Sequence, residues 1–245
     1  MIKEWYKDWF ASEDYLDVYK HRNLEDTEKL VKLILFNIQI NNDASILDAA
    51  CGAGRYSIKF AELGFNVTGF DLSSTLLEIA KSEAEKRNLK INFKLSDIRE
   101  FFTSEKYDLV ASLFTSFGYF DSDDENFMFI NNAYNMLADN GYYVLDYLNK
   151  DFLENNLIGN SEKKIEDKNI FESRQIRNNR VEKKIKIVKD NNSSEYLESV
   201  KVYSYEQLIE KFNEIGFREI KTFGDYEGNQ YQNKTSERCI IFFQK

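Results

Sequence analysis

The 245-residue chain contains no proline, a single histidine (His21) and only two cysteines, Cys51 and Cys239. Without proline there is no proline-rich linker to divide it, and the accompanying wealth of Lys, Asn and Ile reads as base composition rather than function. Two isolated cysteines offer no metal-ligand spacing, so no metal is expected, and both read as buried, reduced thiols. His21 invites a role as a base but equally suits an exposed residue at a helix entry. No run approaches the roughly 20 apolar residues of a membrane helix. The start, Met1-Ile-Lys-Glu-Trp-Tyr-Lys-Asp, has no apolar signal region, so a cytoplasmic protein without a membrane partner is expected. Positive charge is also short: 33 basic against 42 acidic side chains give a net charge of -9. That argues against nucleic acid as a partner, because nonspecific binding rests on phosphate neutralisation by Lys and Arg.

What the chain does have is a patterned stretch near residue 50. The apolar run Ile46-Leu47 leads to Asp48, then to the small-residue turn Ala49-Ala50-Cys51-Gly52-Ala53-Gly54, then to a helix. A second strand, Val67-Thr68-Gly69-Phe70, ends in Asp71, and a third, Ile91 to Leu95, is followed by Asp97. Three successive strand ends therefore carry a carboxylate. In an open α/β sheet such ends line one crevice, where ligands bind. Glycine at 52 and 54 lets a ligand approach the backbone without meeting a Cβ. An acid placed like Asp71 can accept both hydroxyls of a ribose, and one placed like Asp97 can reach an exocyclic amino group. Together they suggest a site for an adenine nucleoside. Each acid also has a plainer reading: Asp48 as a turn residue, Asp71 and Asp97 as helix caps.

These residues resemble the motifs of class I S-adenosylmethionine (SAM) dependent methyltransferases. Asp48 to Gly54 is similar to that family's acid-x-Gly-x-Gly-x-Gly motif, with Ala50 at the first glycine. Gly69-Phe-Asp71-Leu-Ser73 resembles the second motif and Ser96-Asp97-Ile-Arg99 the third. Leu137-Ala-Asp-Asn-Gly141 resembles the turn before the fifth strand, without its usual proline. A nicotinamide dehydrogenase would need Gly-x-Gly-x-x-Gly, which here reads Gly52-Ala-Gly54-Arg-Tyr-Ser57 and lacks the third glycine. The resemblance implies a Rossmann-like, seven-stranded, mostly parallel α/β sheet with helices on both faces, and SAM as cofactor. It further implies Asp48, Ala50, Gly52, Gly54, Asp71, Leu72, Asp97, Ile98 and Leu113 as cofactor-binding residues, with Leu72 and Ile98 as the adenine walls.

Along the chain, helices are expected over 24–38, 55–63 (ended by Gly64), from Ser73 or Ser74, over 124–138 and over 204–215. Strands are expected over 107–113, 142–147, 217–224 and 238–243. Residues 151–203 break this rhythm. Phe171–Arg177, Val181–Lys189 and Tyr196–Tyr203 read as three strands, joined by turns at Asn178-Asn179 and Asp190-Asn191-Asn192. The expected organisation is an N-terminal helical lid (1–43), a core (44–150 and 204–245) and an inserted antiparallel β flap (151–203).

An insertion of this kind, and Phe114-Thr-Ser-Phe117-Gly118-Tyr119, are similar to small-molecule N-methyltransferases, including aminosugar N-methyltransferases, some of which carry His where this chain has Tyr119. The resemblance implies a small-molecule acceptor, most readily methylated on nitrogen, and a monomer or homodimer. The alternatives are a protein methyltransferase and a non-catalytic SAM-binding module. Tyr15, Tyr19, Phe117, Tyr119 and Tyr147 are expected to contact the acceptor, with Tyr19, Tyr119 and Asp146 as catalytic candidates; aromatic packing is the competing role for the tyrosines. From Lys163 to Lys189 ten basic residues face four acids. This surplus suggests either an anion-steering flap or the solvated face of an amphipathic sheet.

Overall fold

In a computed structural model, which describes residues 4–19, 24–190 and 192–245, two short helices come first: α1 (Trp5–Phe10) and α2 (Glu13–Val18). A longer helix, α3 (Leu24–Asn37), precedes an alternation of strands and helices. These are β1 (Ser45–Ala49), α4 (Arg55–Glu62), β2 (Asn66–Asp71), α5 (Ser74–Lys86), β3 (Asn92–Leu95), β4 (Tyr107–Ser112), α6 (Asp123–Met136) and β5 (Leu137–Leu148). A short α7 (Lys150–Asn156) leads into β6 (Asn160–Ile165), β7 (Lys168–Arg177), β8 (Arg180–Lys189) and β9 (Asn192–Lys201). The chain closes with α8 (Tyr205–Ile215), β10 (Arg218–Phe223) and β11 (Arg238–Gln244). His21 and Asn191 lie outside the described residues.

Seven strands form one sheet in the order β10-β11-β5-β4-β1-β2-β3. β1 to β5 run parallel, and β11 and β10 close the edge antiparallel. This is the expected Rossmann-like sheet. Chain order reverses at β1, which has β2 on one side and β4 on the other. Asp48 sits there, in register with Gly69 and Ala111. Such a switch point is where open α/β sheets bind ligands.

Successive strand residues point to opposite faces, so adjacent residues enter different cores. Leu47, Val110 and Tyr143 pack with Ile130 of α6 and Phe212 of α8. Ile46, Leu109 and Val144 pack on the other face with Leu30 and Ile34 of α3 and Phe60 of α4. Burial on both faces is why these strands read as continuous apolar runs. Serine caps set the helix starts: Ser73 on α5, Ser122 on α6, and Ser204 with Gln207 as a capping box on α8.

β6 to β9 form a separate antiparallel sheet. It has four strands where three were expected. β6, Asn-Ser-Glu-Lys-Lys-Ile, shows no apolar alternation and joins through backbone pairing to β7. The turn at Asn178 and Asn179, with φ of 52° and 55°, has the two left-handed residues of a type I′ hairpin. One face of this sheet, Ile170, Ile185 and Ile187, packs against Trp5, Tyr6, Trp9 and Val18. The N-terminal aromatic residues are therefore the core of the second sheet. β9 also meets the main domain, where Lys201 N–H donates to Gly118 O at 2.7 Å. Gly118 has φ of +90°, and a Cβ there would lie 2.6 Å from the Lys201 carbonyl oxygen, so only glycine permits this approach.

Candidate active site

A cavity of about 650 Å³ lies over the carboxyl ends of β1, β2 and β4, under a roof made by α1, α2 and the second sheet. Small-molecule sites typically enclose roughly 300–1,000 Å³. A groove of about 800 Å³ at the amino ends of the same strands, lined by Ser45, Asn66 and Tyr107, is remote from every expected site residue.

The floor of the cavity is the turn after β1. Ala50, Gly52 and Gly54 all have left-handed backbones, with φ of 53°, 55° and 77°. At Ala50 that conformation costs roughly 1–2 kcal/mol relative to glycine. The two glycines do different jobs. A Cβ on Gly52 would meet only Leu76 Cδ1 at 3.9 Å, so its open side is cavity. A Cβ on Gly54 would lie 2.8 Å from Ala80 Cβ and 3.2 Å from Phe93. Gly54 thus lets α4 pack against α5 and β3, and it stays outside the lining.

Asp48 and Asp71 both line the floor. Asp48 is 1% exposed, and its Oδ2 accepts from Ser57 Oγ at 2.5 Å. Burial pushes its pKa up to about 7. Asp71 Oδ2 accepts from Gly52 N–H and Oδ1 from Ser73 N–H, each at 2.8 Å. Burial raises its pKa, opposed by these backbone donors. It therefore ties the glycine turn to the start of α5 while facing the cavity. Ala50 and Leu113 also line the cavity.

Asp97, Leu72 and Ile98 do not. Asp97 Oδ1 accepts from Arg99 N–H and Nε at 2.9 and 3.0 Å, and Oδ2 from Arg99 Nη2 at 2.7 Å. Burial raises its pKa, but the Arg99 contacts outweigh that and hold it below the usual value. Leu72 and Ile98 pack against the N-terminal aromatic cluster.

Of the acceptor candidates, Tyr15, Tyr19 and Tyr119 line the cavity. Phe117, Tyr147 and Asp146 lie outside its lining. Tyr147 was expected at the end of a strand over 142–147, yet β5 runs on to Leu148. Tyr147 is buried in the α6/α8 core and donates to the Lys201 carbonyl. Phe117 packs edge-on to Phe127 and Tyr147. Asp146 is fully buried. Its Oδ1 accepts from Arg238 Nε at 2.8 Å and Nη2 lies 2.7 Å away; its Oδ2 accepts from Phe114 N–H and Tyr226 OH, both at 2.9 Å. A carboxylate so saturated fixes the loop after β4 and has no free position for a substrate proton.

The second sheet contributes residues the sequence reading did not single out. Glu198 accepts from Trp9 Nε1 at 2.7 Å and from Tyr19 OH, and pairs with Lys183 at 2.8 Å. Lys183 also donates to the Tyr19 hydroxyl, and Arg174 pairs with Glu172. Arg174, Lys183 and Glu198 line the cavity. The positive surplus of this segment is therefore neutralised where it faces the cavity, which disfavours the anion-steering alternative of the two. Strand parity carried the missed signal, because Lys183 shares a face with Ile185 and Ile187. Among the described residues no cluster of His, Cys, Asp and Glu is arranged to hold a metal ion, and no helix is long and apolar enough to cross a membrane. Both cysteines are free and buried.

Residues 46–141 match the protein family described as a methyltransferase domain. A ubiquinone biosynthesis O-methyltransferase of Rickettsia typhi is 30% identical over 105 residues, 43% of either chain. A Geobacillus chain named as a methyltransferase is 32% identical over 101 residues, 41% of either. The chain thus spans about two-fifths of the length of these curated relatives. Solved structures match along more of it. A SAM-dependent methyltransferase from Clostridium acetobutylicum aligns with a TM-score of 0.80 at 18% identity, over 93% of this chain and 94% of that one. The SAM-bound amino pentose methyltransferase CalS10 from Micromonospora echinaspora aligns with a TM-score of 0.70 at 18% identity, over 95% and 97%. At this identity the likeness shows the fold.

Proposed function

We propose that this chain, whose residues 46–141 match the methyltransferase domain family and which has the fold of class I SAM-dependent methyltransferases, transfers a methyl group from SAM to a nitrogen of a small-molecule acceptor. The observation that carries this reading is one cavity that is lined both by the Gly52 turn and Asp71 and by Tyr19, Lys183 and Glu198. A cavity covered by α1, α2 and the second sheet suits a small acceptor better than a protein segment.

SAM supplies the activated methyl group when bound, leaving the protein to bind, orient and exclude water. Gly52 leaves open space for the ligand beside the backbone. Asp71 keeps lone pairs for a ribose diol beyond those given to Gly52 and Ser73 N–H. Tyr15 and Tyr119, packed against Phe10 at ring-centroid distances of 5.1 and 5.8 Å, wall the middle of the cavity. Tyr19, fixed between Lys183 and Glu198, is set to accept from an acceptor amine and aim its lone pair at the methyl carbon. Such positioning accounts for much of the rate in an in-line transfer. The N-terminal helices act as a lid, closed through Trp9 and Glu198.

A second reading, transfer to oxygen, draws on the O-methyltransferase names of aligned relatives and on the Tyr19–Glu198 pair, which can relay a proton from a hydroxyl. The test is release of S-adenosylhomocysteine with matched small amines and alcohols of one skeleton, aminosugars included. Turnover confined to the amines supports nitrogen transfer; turnover confined to the alcohols contradicts it.

A further inference from the structure

Four cations line the cavity. Two of them, Arg174 and Lys183, stand on the second sheet, and register places them in one row: Arg174 lies opposite Lys183, which lies opposite Glu198. Both are neutralised there. Arg174 pairs with Glu172 and donates through Nη1 to Ser161 Oγ at 2.9 Å. Lys183 lies 2.8 Å from Glu198 and 3.7 Å from Glu172. The other two cations belong to the main domain. Arg238 is bound to Asp146. Arg55, the first residue of α4, is held between the rings of Tyr56 and Phe114, 4.5 and 4.4 Å from their centroids. A phosphate or carboxylate entering beside the second sheet would meet cations already engaged by Glu172 and Glu198, and like charges brought together in an enclosed site repel.

The next row on the same face of the sheet is apolar. Two residues along each strand, Val181 lies opposite Val200, and both line the cavity. Leu148, the last residue of β5, lines it as well, as do Leu153 in α7 and Leu157 just after it. α7 buries none of its residues. Among the described residues, Leu153, Leu157 and Val181 belong to none of the three hydrophobic cores. The fold's own packing therefore leaves this half-buried apolar surface to the contents of the cavity.

Resting on the nitrogen-transfer reading above, we propose that the acceptor is an amine carried on an apolar carbon skeleton, without phosphate or carboxylate, its nitrogen received by Tyr19 and Glu198 and its skeleton seated on Val181, Val200, Leu153 and Leu157. An apolar skeleton gains by leaving water for such a wall, in proportion to the area covered. The hydroxyls of a sugar would lose hydration against the same side chains with no partner to replace it. Tyr19 and Glu198 offer oxygen acceptors to an amine N–H from the neutral row beside that wall.

The experiment is calorimetric titration of the full chain, saturated with S-adenosylhomocysteine, with straight-chain primary amines from butylamine to octylamine at one pH. These share one nitrogen chemistry and differ only in methylenes. Affinity should rise about fourfold with each methylene that the wall covers. Glucosamine and its phosphate monoester should bind at least about tenfold more weakly than octylamine. Val181→Thr and Val200→Thr keep the branched shape and add a hydroxyl. Each should weaken octylamine by a few-fold and leave S-adenosylhomocysteine affinity unchanged. Affinity independent of chain length, or tighter binding of the sugar phosphate, overturns the proposal and leaves the SAM reading intact. So does undiminished octylamine affinity in the folded double variant. Turnover of SAM with octanol but not with octylamine overturns the nitrogen reading, and the proposal with it. A wild type that does not bind S-adenosylhomocysteine overturns the SAM reading itself.

Discussion

Trp9 donates its indole N–H to Glu198 at 2.7 Å, joining the first helix to the last strand of the second sheet across the top of the cavity. The same carboxylate accepts from Tyr19 OH and pairs with Lys183. Trp9→Phe removes one hydrogen bond to a charged acceptor, worth about 1.5–3 kcal/mol. Amide exchange over Trp5–Phe10 should accelerate while exchange in β1 and β4 stays slow. Unchanged protection of α1 would mean that the contact does not hold the roof.

Asp48 gives a pH signature. Burial raises its pKa from 3.8 to about 7. The folded protein therefore keeps a proton that the unfolded chain releases near 3.8. In the ligand-free protein, stability should fall as pH rises from about 4 to about 7 and level off above that. A shift of three units corresponds to about 4 kcal/mol, and Asp48→Asn should remove this slope from denaturant titrations. A cationic ammonium placed near Asp48 would favour its charged form, so SAM binding near pH 6 should release a proton. Calorimetry in buffers of different ionisation enthalpy measures that release directly.

Arg238 and Asp146 test the structural role assigned to the buried carboxylate. Arg238→Met leaves Asp146 as an unpaired charge at 0% exposure. The expected loss is about 3–5 kcal/mol in urea unfolding. Tyr226→Phe, which removes one donor of 2.9 Å, should cost about 1–2 kcal/mol. A near-neutral Arg238→Met would show that Asp146 is not held as described.

The two turn glycines should separate folding from binding. Gly54→Ala forces a Cβ to within 2.8 Å of Ala80 Cβ at φ of +77°, and a clear drop in melting temperature is expected. Gly52→Ala meets no such contact, so it should stay folded at a backbone cost of roughly 1–2 kcal/mol and lose cofactor affinity. The reverse pattern would exchange their roles.

Much of this was legible in the sequence because the signals were local. Asp48 to Gly54 and Val67 to Asp71 combine an apolar run, an acid and small residues, and each became a strand end facing the cavity. Gly64 and Gly216 mark helix ends because a left-handed backbone is needed there. Asp97 lies outside the cavity lining, where Arg99, two residues on, engages its carboxylate. Asp146 and Tyr147 lie within β5, outside the cavity lining, because Arg238 takes the carboxylate and the α6/α8 core takes the ring. β6 was invisible because backbone pairing alone recruits it. Glu198 and Arg55 depend on partners far along the chain, Trp9 and Phe114, which spacing does not reveal.

The central claim is that the part of the cavity over the Gly52 turn and Asp71 binds the nucleoside of SAM. Titration of S-adenosylhomocysteine into the wild type and Asp71→Ala tests it most directly. One molecule should bind per wild-type chain, and Asp71→Ala, folded by circular dichroism, should bind at least about tenfold more weakly, since a hydrogen bond to a charged group is worth about 1.5–3 kcal/mol. Equal affinity in the two proteins, or no binding to the wild type, would contradict the account.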